Sequence, residues 1–224
     1  MNKNEIEILI PTLNEEGNIE RVIKDLHFEG FDNVTILDAN SSDNTVAIAK
    51  KYNCRILLDD ENVKGFGGSI INGLKNLNSN YFCIFDGDNS FDPKGISLMM
   101  KEMINGHDFV FGTRYLGGAI SDDDTISSKF ANFIISKIVK ILFKINTTDV
   151  LFFYILGKKE NIAKLNLKQQ DMRICTEFLV KSYRNFKCIE ILSKERKRLS
   201  GVSRVNKVFE GVKILGNILK LYFN

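Results

Sequence analysis

The stretch IEILIPTLNEEGNIERVIKDLHFEGFDNVTILDA, residues 6–39, decides the fold. IEILIPT (6–12) is an apolar run rich in β-branched side chains, residues 15–28 carry their apolar positions at helical spacing, and VTILDA (34–39) returns to a strand-like run. The same unit recurs outward along the chain. CRILLD (54–59), YFCIFDGD (81–88) and DFVFGTR (108–114) read as further strands, and NTVAIAKKY (44–52), GGSIINGLKNL (67–77) and PKGISLMMKEM (93–103) as helices. Strand, helix, strand repeated in this way implies right-handed crossovers and an open, mostly parallel α/β sheet with helices on both faces. Ligands of such a sheet are expected beyond the carboxyl ends of its strands. The polar clusters PTLNEE, DANSSDNT, DGDNS and GTRY all fall there.

In YFCIFDGDNSFDP (81–93) an apolar run drives straight into three carboxylates, Asp86, Asp88 and Asp92. Such a cluster repels itself and resists desolvation, so it is tolerated mainly where a cation, a donor network or water neutralises it. Carboxylates at i and i+2 leave a strand on the same side, and Mg²⁺ and Mn²⁺ prefer oxygen ligands. Asp92, before Pro93, is expected to cap the next helix. The other clusters also admit plain structural accounts. PTLNEEGN (11–18) suits a turn with an Asn cap and an acidic first helical turn, and in DANSSDNT (38–45) Asp43 suits a cap. KGFGGS (64–69) fits neither GxGxxG nor GxxxxGKS, which disfavours a dinucleotide fold or a P-loop.

With 224 residues, 44% of them hydrophobic, the chain is long enough to bury one full core. Its four cysteines form no CxxC pair, so they read as small buried hydrophobes in a reducing compartment. The N-terminus lacks the apolar core of a signal peptide, and lysines interrupt every long apolar stretch before it reaches membrane-spanning length. A cytoplasmic chain is expected. The net charge of +3 conceals a division: residues 1–126 carry 11 Lys and Arg against 21 Asp and Glu, and residues 127–224 carry 20 against 7. The basic half contains two amphipathic, lysine-rich helical patterns, at 127–145 and 204–224. Packing against the core accounts for either alone; together with the charge balance they point to an anionic membrane surface. No nucleic-acid reader motif accompanies the basic charge.

The order and spacing of ILIPTLNEEGNIERVI, VTILDANSSDNTVAIAKKY, GFGGSIINGLKNLNSNYFCIFDGDNSFDP and FVFGTRYLGG resemble a family 2 glycosyltransferase of the GT-A fold, over nearly the whole chain. Within that family the chain is most similar to the polyprenol-phosphate sugar transferases typified by dolichyl-phosphate mannosyltransferase, including KRLSGVSRV (197–205) where those enzymes carry an Arg and a Gly-x-Ser-Lys. The resemblance implies that Asp86 and Asp88, flanking Gly87, occupy the DxD position and address the nucleotide sugar through Mg²⁺ or Mn²⁺, with Ser90 where many relatives place a glutamine ligand. Gly87 is expected to permit close ligand approach. Pro11, Leu13 and Glu15 match the family's Pro-x-Tyr-Asn-Glu segment, with Leu13 replacing the usual Tyr. Ile36 and Asp38 match the strand end that holds base and ribose, and Arg114 in GTRY matches a Gly-Ser-Arg-Tyr whose guanidinium clamps phosphate or sugar oxygens. Arg198, Ser203 and Arg204 match the basic loop that holds the acceptor phosphate or donor diphosphate. Downstream the match departs: where relatives have Asp-x-x-Ser-Gly-Phe-Arg this chain reads DVLFFYI (149–155), keeping Asp149 but placing Phe152, Phe153 and Ile155 at the Ser, Gly and Arg positions. TEFLVKSYRNFKCIEI resembles the helix and strand before the basic loop, with Glu177 matching either a family acid or a structural buried Glu.

These matches imply a GT-A catalytic domain over residues 1–200 followed by a basic amphipathic helix over 201–224, peripheral on the cytoplasmic face of a membrane. The implied reaction moves a hexose from a nucleoside-diphosphate sugar, of GDP-mannose or UDP-glucose type, onto a polyprenyl or dolichyl phosphate, with inversion and with Asp88 and Arg114 as catalytic residues. The alternatives are a family 2 transferase acting on a sugar hydroxyl of a glycolipid or polysaccharide, and a catalytically silent nucleotide-sugar-binding module.

Overall fold

Residues 6–39 form the βαβ unit their pattern predicts: β1 (Ile6–Thr12), α1 (Ile19–Phe28) and β2 (Val34–Asp38). The structure is a computed structural model that describes residues 1–118, 126–198 and 207–223. Strands β1 and β2 pair in parallel, from Ile8 opposite Val34 to Thr12 opposite Asp38. Helix α1 starts later than the apolar spacing suggests because Glu15–Asn18 first close a turn, the Asn18 and Ile19 amides both donating to the Glu15 carbonyl at 2.9 Å.

The repeat continues through α2 (Thr45–Lys51), β3 (Arg55–Leu58), α3 (Gly65–Lys75), β4 (Tyr81–Ile84), α4 (Lys94–Ile104) and β5 (Phe109–Thr113). Helix α5 (Ile126–Phe143), β6 (Ile155–Lys158), α6 (Ile162–Leu165), α7 (Ile174–Asn185), β7 (Cys188–Leu192) and α8 (Lys207–Phe223) complete the order. The seven strands lie in the order β3-β2-β1-β4-β6-β5-β7. All neighbours are parallel except those of β6, which runs antiparallel between β4 and β5. Strand β6 is the element the repeat pattern does not announce. It is four residues long at the end of an aromatic run without alternation, and long-range pairing of Ile155 with both Ile84 and Phe111 defines it.

Both faces of the sheet are buried, as a sheet sandwiched between helices requires. Ile8 and Ile10 point with Val22, Ile23, Phe31 and Tyr154 into the layer shared with α1, α2 and α4, whereas Leu9, Phe82 and Phe109 face α3, α5, α7 and α8, with Phe178 of α7 packed on Phe82 and Phe109. Helix α8 joins that second layer through the buried Ile214 and Ile218, packed against α5 and α7. The four cysteines are free, three of them buried. The KGFGGS glycines serve packing: a Cβ on Gly67 would lie 2.4 Å from the Gln169 carbonyl oxygen, so the first turn of α3 rests directly on the backbone of residues 169–171.

Candidate active site

The carboxyl ends of β1, β2, β4 and β5 open onto a cavity of about 410 Å³. Pro11, Leu13, Glu15, Asp86, Asp88, Ser90, Arg114 and Arg198 all line it, so most of the expected site residues come together although they are scattered over nearly 190 positions. Apolar and aromatic side chains of Phe66, Leu151, Phe152, Phe153 and Met172 also line it. Leu13 presents its side chain here, 42% exposed. Ser203 and Arg204 lie outside the described residues.

Two expected contacts are placed differently. Ile36 is fully buried in the α1–α2–α4 layer and does not reach the cavity. Asp38 is also fully buried, its carboxylate accepting the Thr12 hydroxyl (2.9 Å) and the Ser41 amide (2.8 Å) and hydroxyl (2.6 Å). It braces the β1 and β2 loops behind the cavity wall. Gly87 lies close against β1: a Cβ there would stand 3.2 Å from Thr12 Cγ2 and 3.3 Å from the Pro11 carbonyl oxygen. Asp92 accepts the Lys94 amide (3.1 Å) at the start of α4, as its position before Pro93 suggests, and also pairs with Arg196 (2.7 Å). Asp43 accepts the Thr45 amide at the start of α2 (2.9 Å).

The loop after β4 turns at Asn89, whose φ of 73° is in the left-handed region that Asn tolerates better than most residues. The turn folds Ser90 back so that its amide donates to Asp88 Oδ1 at 2.9 Å. Asp88 Oδ2 accepts from the Arg198 guanidinium. Burial, then the neighbouring Asp88 carboxylate and Glu15, push Asp86 well above the ordinary carboxylate range, with Arg198 pulling the other way. This is the signature of a negative site short of positive charge.

Two such carboxylates fit a hard divalent ion. Among the described residues no cluster of three or more His, Cys, Asp or Glu side chains converges as a self-sufficient metal cage. Mg²⁺ is commonly held by one or two carboxylates with substrate phosphates and water completing the shell, and Asp86 and Asp88 match that donor set.

Arg114 is anchored more firmly than the GTRY string discloses. Its Nε and Nη2 donate to the two oxygens of Asp149 at 2.8 and 3.0 Å, Nη1 donates to Glu195 at 3.2 Å, and the Phe152 ring centroid lies 5.0 Å away. Asn132 on α5 donates to Asp149 Oδ1 at 2.9 Å, fixing the anchor in turn. The Phe152 ring thus backs the guanidinium. Glu195, lining the cavity beside Arg114, is absent from the sequence-based expectations; its signal is a lone acid in the basic run KERKR (194–198). Glu177 is buried, accepting the Lys168 and Gln169 amides at 2.9 and 2.8 Å, a structural role.

The sheet, with paired carboxylates at its carboxyl edge, is that of a GT-A glycosyltransferase. Glucosyl-3-phosphoglycerate synthase from Mycobacterium tuberculosis, solved with Mn²⁺, UDP-glucose and phosphoglyceric acid, superposes with a TM-score of 0.79 over 97% of this chain and 79% of that one, at 15% identity. The sequence model of glycosyl transferase family 2 matches residues 7–165, and the chain belongs to that family. It is 27% identical to the UDP-N-acetylglucosamine–dolichyl-phosphate N-acetylglucosaminyltransferase of Methanococcus voltae, over 96% of this chain and 95% of that enzyme. It is 23% identical to the dolichol-phosphate mannosyltransferase of Pyrococcus furiosus, over 96% of this chain and 64% of that enzyme.

Proposed function

We propose that this glycosyltransferase moves a hexose, with inversion, from a nucleoside-diphosphate sugar to a polyprenyl phosphate. The observation that carries the reading is one cavity that paired carboxylates and two guanidiniums share with an apolar, aromatic lining. Asp86 and Asp88 hold Mg²⁺ or Mn²⁺, and Ser90 steadies Asp88 through its amide rather than by a required ligand bond. The ion, when bound, supplies positive charge to the leaving diphosphate. Arg114 is oriented by Asp149 and Glu195 toward the same space, and Arg198 contributes a second guanidinium.

A phosphate acceptor also suits what the cavity lacks. A phosphate monoester attacks as an anion at neutral pH, whereas a sugar hydroxyl needs a positioned general base. Among the described residues neither histidine lines the cavity, and His107 is engaged by Glu102 on the far end of α4. The cavity's other acids have partners, Glu195 with Arg114 and Glu15 with Asn18.

The lipid acceptor brings the enzyme to a membrane surface as a peripheral protein, and α5 and α8 support that placement. Among the described residues no helix is long and apolar enough to cross a membrane. Both helices nevertheless carry a second apolar stripe facing away from the core: Phe130, Phe133, Ile134 and Ile141 on α5, and Val212, Leu215, Leu219 and Phe223 on α8. Exposed Lys129, Lys137, Lys140, Lys144 and Lys220 flank these stripes, suiting an anionic interface.

The test is a panel of radiolabelled nucleotide sugars offered with a short prenyl phosphate or the matching prenyl alcohol. Labelled product is expected from the phosphate alone, and Asp88→Asn should lower turnover by on the order of 100-fold or more while leaving the fold intact by circular dichroism. Equal turnover of the alcohol, or transfer only to a sugar hydroxyl, replaces this acceptor with the rival one; full turnover in EDTA removes the metal.

A further inference from the structure

Residues 193–198 form a strap across the Asp86–Asp92 loop. The Ser193 amide donates to the Thr113 carbonyl at 2.8 Å, Glu195 makes an isolated antiparallel bridge to Phe91, and the Arg196 amide donates to the Ser90 carbonyl at 2.7 Å. The Arg196 side chain adds two ion pairs, to Asp92 at 2.7 Å and to Asp25 on α1 at 2.8 Å. These contacts lie upstream of Arg198 and hold it in register, with its guanidinium directly on Asp88.

The pairing engages both oxygens of the carboxylate. Asp88 Oδ1 already accepts the Ser90 amide and Oδ2 accepts from Arg198, so neither oxygen is without a donor, and the Asp88 side chain is only 8% exposed. A divalent ion on Asp88 would bring a second positive charge close to the Arg198 guanidinium at a carboxylate that is only 8% exposed, so the two cations compete for it. In this structure the strap supplies a cation to the buried Asp88 carboxylate.

Resting on the reading that Asp86 and Asp88 hold the divalent ion, we propose that Arg198 is a built-in counter-cation that occupies Asp88 until the ion displaces it. Displacement frees the guanidinium beside the cavity, still tethered by the strap, where the next group to require it is an anionic phosphate. Metal loading and anion capture are thereby coupled: the site keeps its charge balanced when empty, and it offers Arg198 to a phosphate only after the ion has taken the carboxylate.

The coupling is tested without turnover, by titrating Mn²⁺ into the whole chain and following the free ion by electron paramagnetic resonance. Arg198→Gln removes the competitor and should bind Mn²⁺ on the order of tenfold more tightly than the wild type, the factor one partly buried ion pair carries in an equilibrium. Arg198→Lys, which keeps the charge and loses the planar fork, should fall between them, and it carries the test if the Gln variant does not fold. Asp88→Asn sets the background. Equal or weaker Mn²⁺ binding by Arg198→Gln overturns the proposal while leaving the metal site standing. Binding no better than the Asp88→Asn background in every variant removes the metal reading and this proposal together.

Discussion

Arg114 stands on Asp149, and the pair is nearly dry: the side chains are 10% and 0% exposed. Removing one partner strands the other, so Asp149→Ala should destabilise the protein by about 3 kcal/mol in urea unfolding and release the guanidinium that the site depends on. Asn132, which holds the far oxygen of Asp149, makes the same carboxylate a junction between α5 and the cavity. Glu190 offers a pH readout away from the proposed metal site. Burial raises its carboxyl above the usual glutamate range, against the Thr147 and Thr148 hydrogen bonds that favour the anion. The folded chain therefore holds that proton more tightly than the unfolded chain. Its contribution to stability is full below the ordinary glutamate range, falls as pH rises toward the raised value and is flat above it. Glu190→Gln should remove that slope, measured as unfolding free energy across a pH series.

At the scale of elements, α5 and α8 are the informative pair, because each is apolar on two sides. The inner stripes, Ile135 and Val139 on α5 and Ile214 and Ile218 on α8, belong to the core. The outer ones stay exposed, Phe133 touching Lys137 of its own helix and Phe223 its neighbour Tyr222, and a ring contact at 6.0 Å between Phe143 and Tyr222 holds the two helices side by side. Polar replacements on the outer stripes should therefore separate membrane binding from folding. Phe133→Ser combined with Val212→Ser, at positions 59% and 66% exposed, should change unfolding free energy by only about 0.5 kcal/mol per site and leave turnover of a short soluble prenyl phosphate intact. Sedimentation with lipid vesicles should fall sharply. Retained sedimentation would assign the lipid contact to another face.

Across the whole molecule, the acidic residues 1–126 contain the β1, β2 and β4 loops of the cavity, and the basic residues 127–224 contain both outer stripes and the strap. Binding to anionic vesicles should accordingly weaken as salt shortens the screening length from about 30 Å at 0.01 M to about 8 Å at 0.15 M, and binding to neutral vesicles should stay weak throughout. Salt-independent binding would leave only the apolar stripes as its cause. The sequence by itself determined the βα repeat, the family and the carboxylate pair, because burial on both sheet faces writes itself as apolar runs and because charge at a strand end has few structural uses. It also singled out Arg114 and Arg198, both of which line the cavity. It did not disclose β6, whose existence depends on pairing with two strands distant in the chain. Nor did it show that Asp38 turns inward to brace two loops, or that Arg114 rests on Asp149 and Glu195, 35 and 81 positions away. Those outcomes belong to the tertiary structure alone, since local spacing sets which side of an element a residue faces, while the partner it meets there is decided by how separate elements pack.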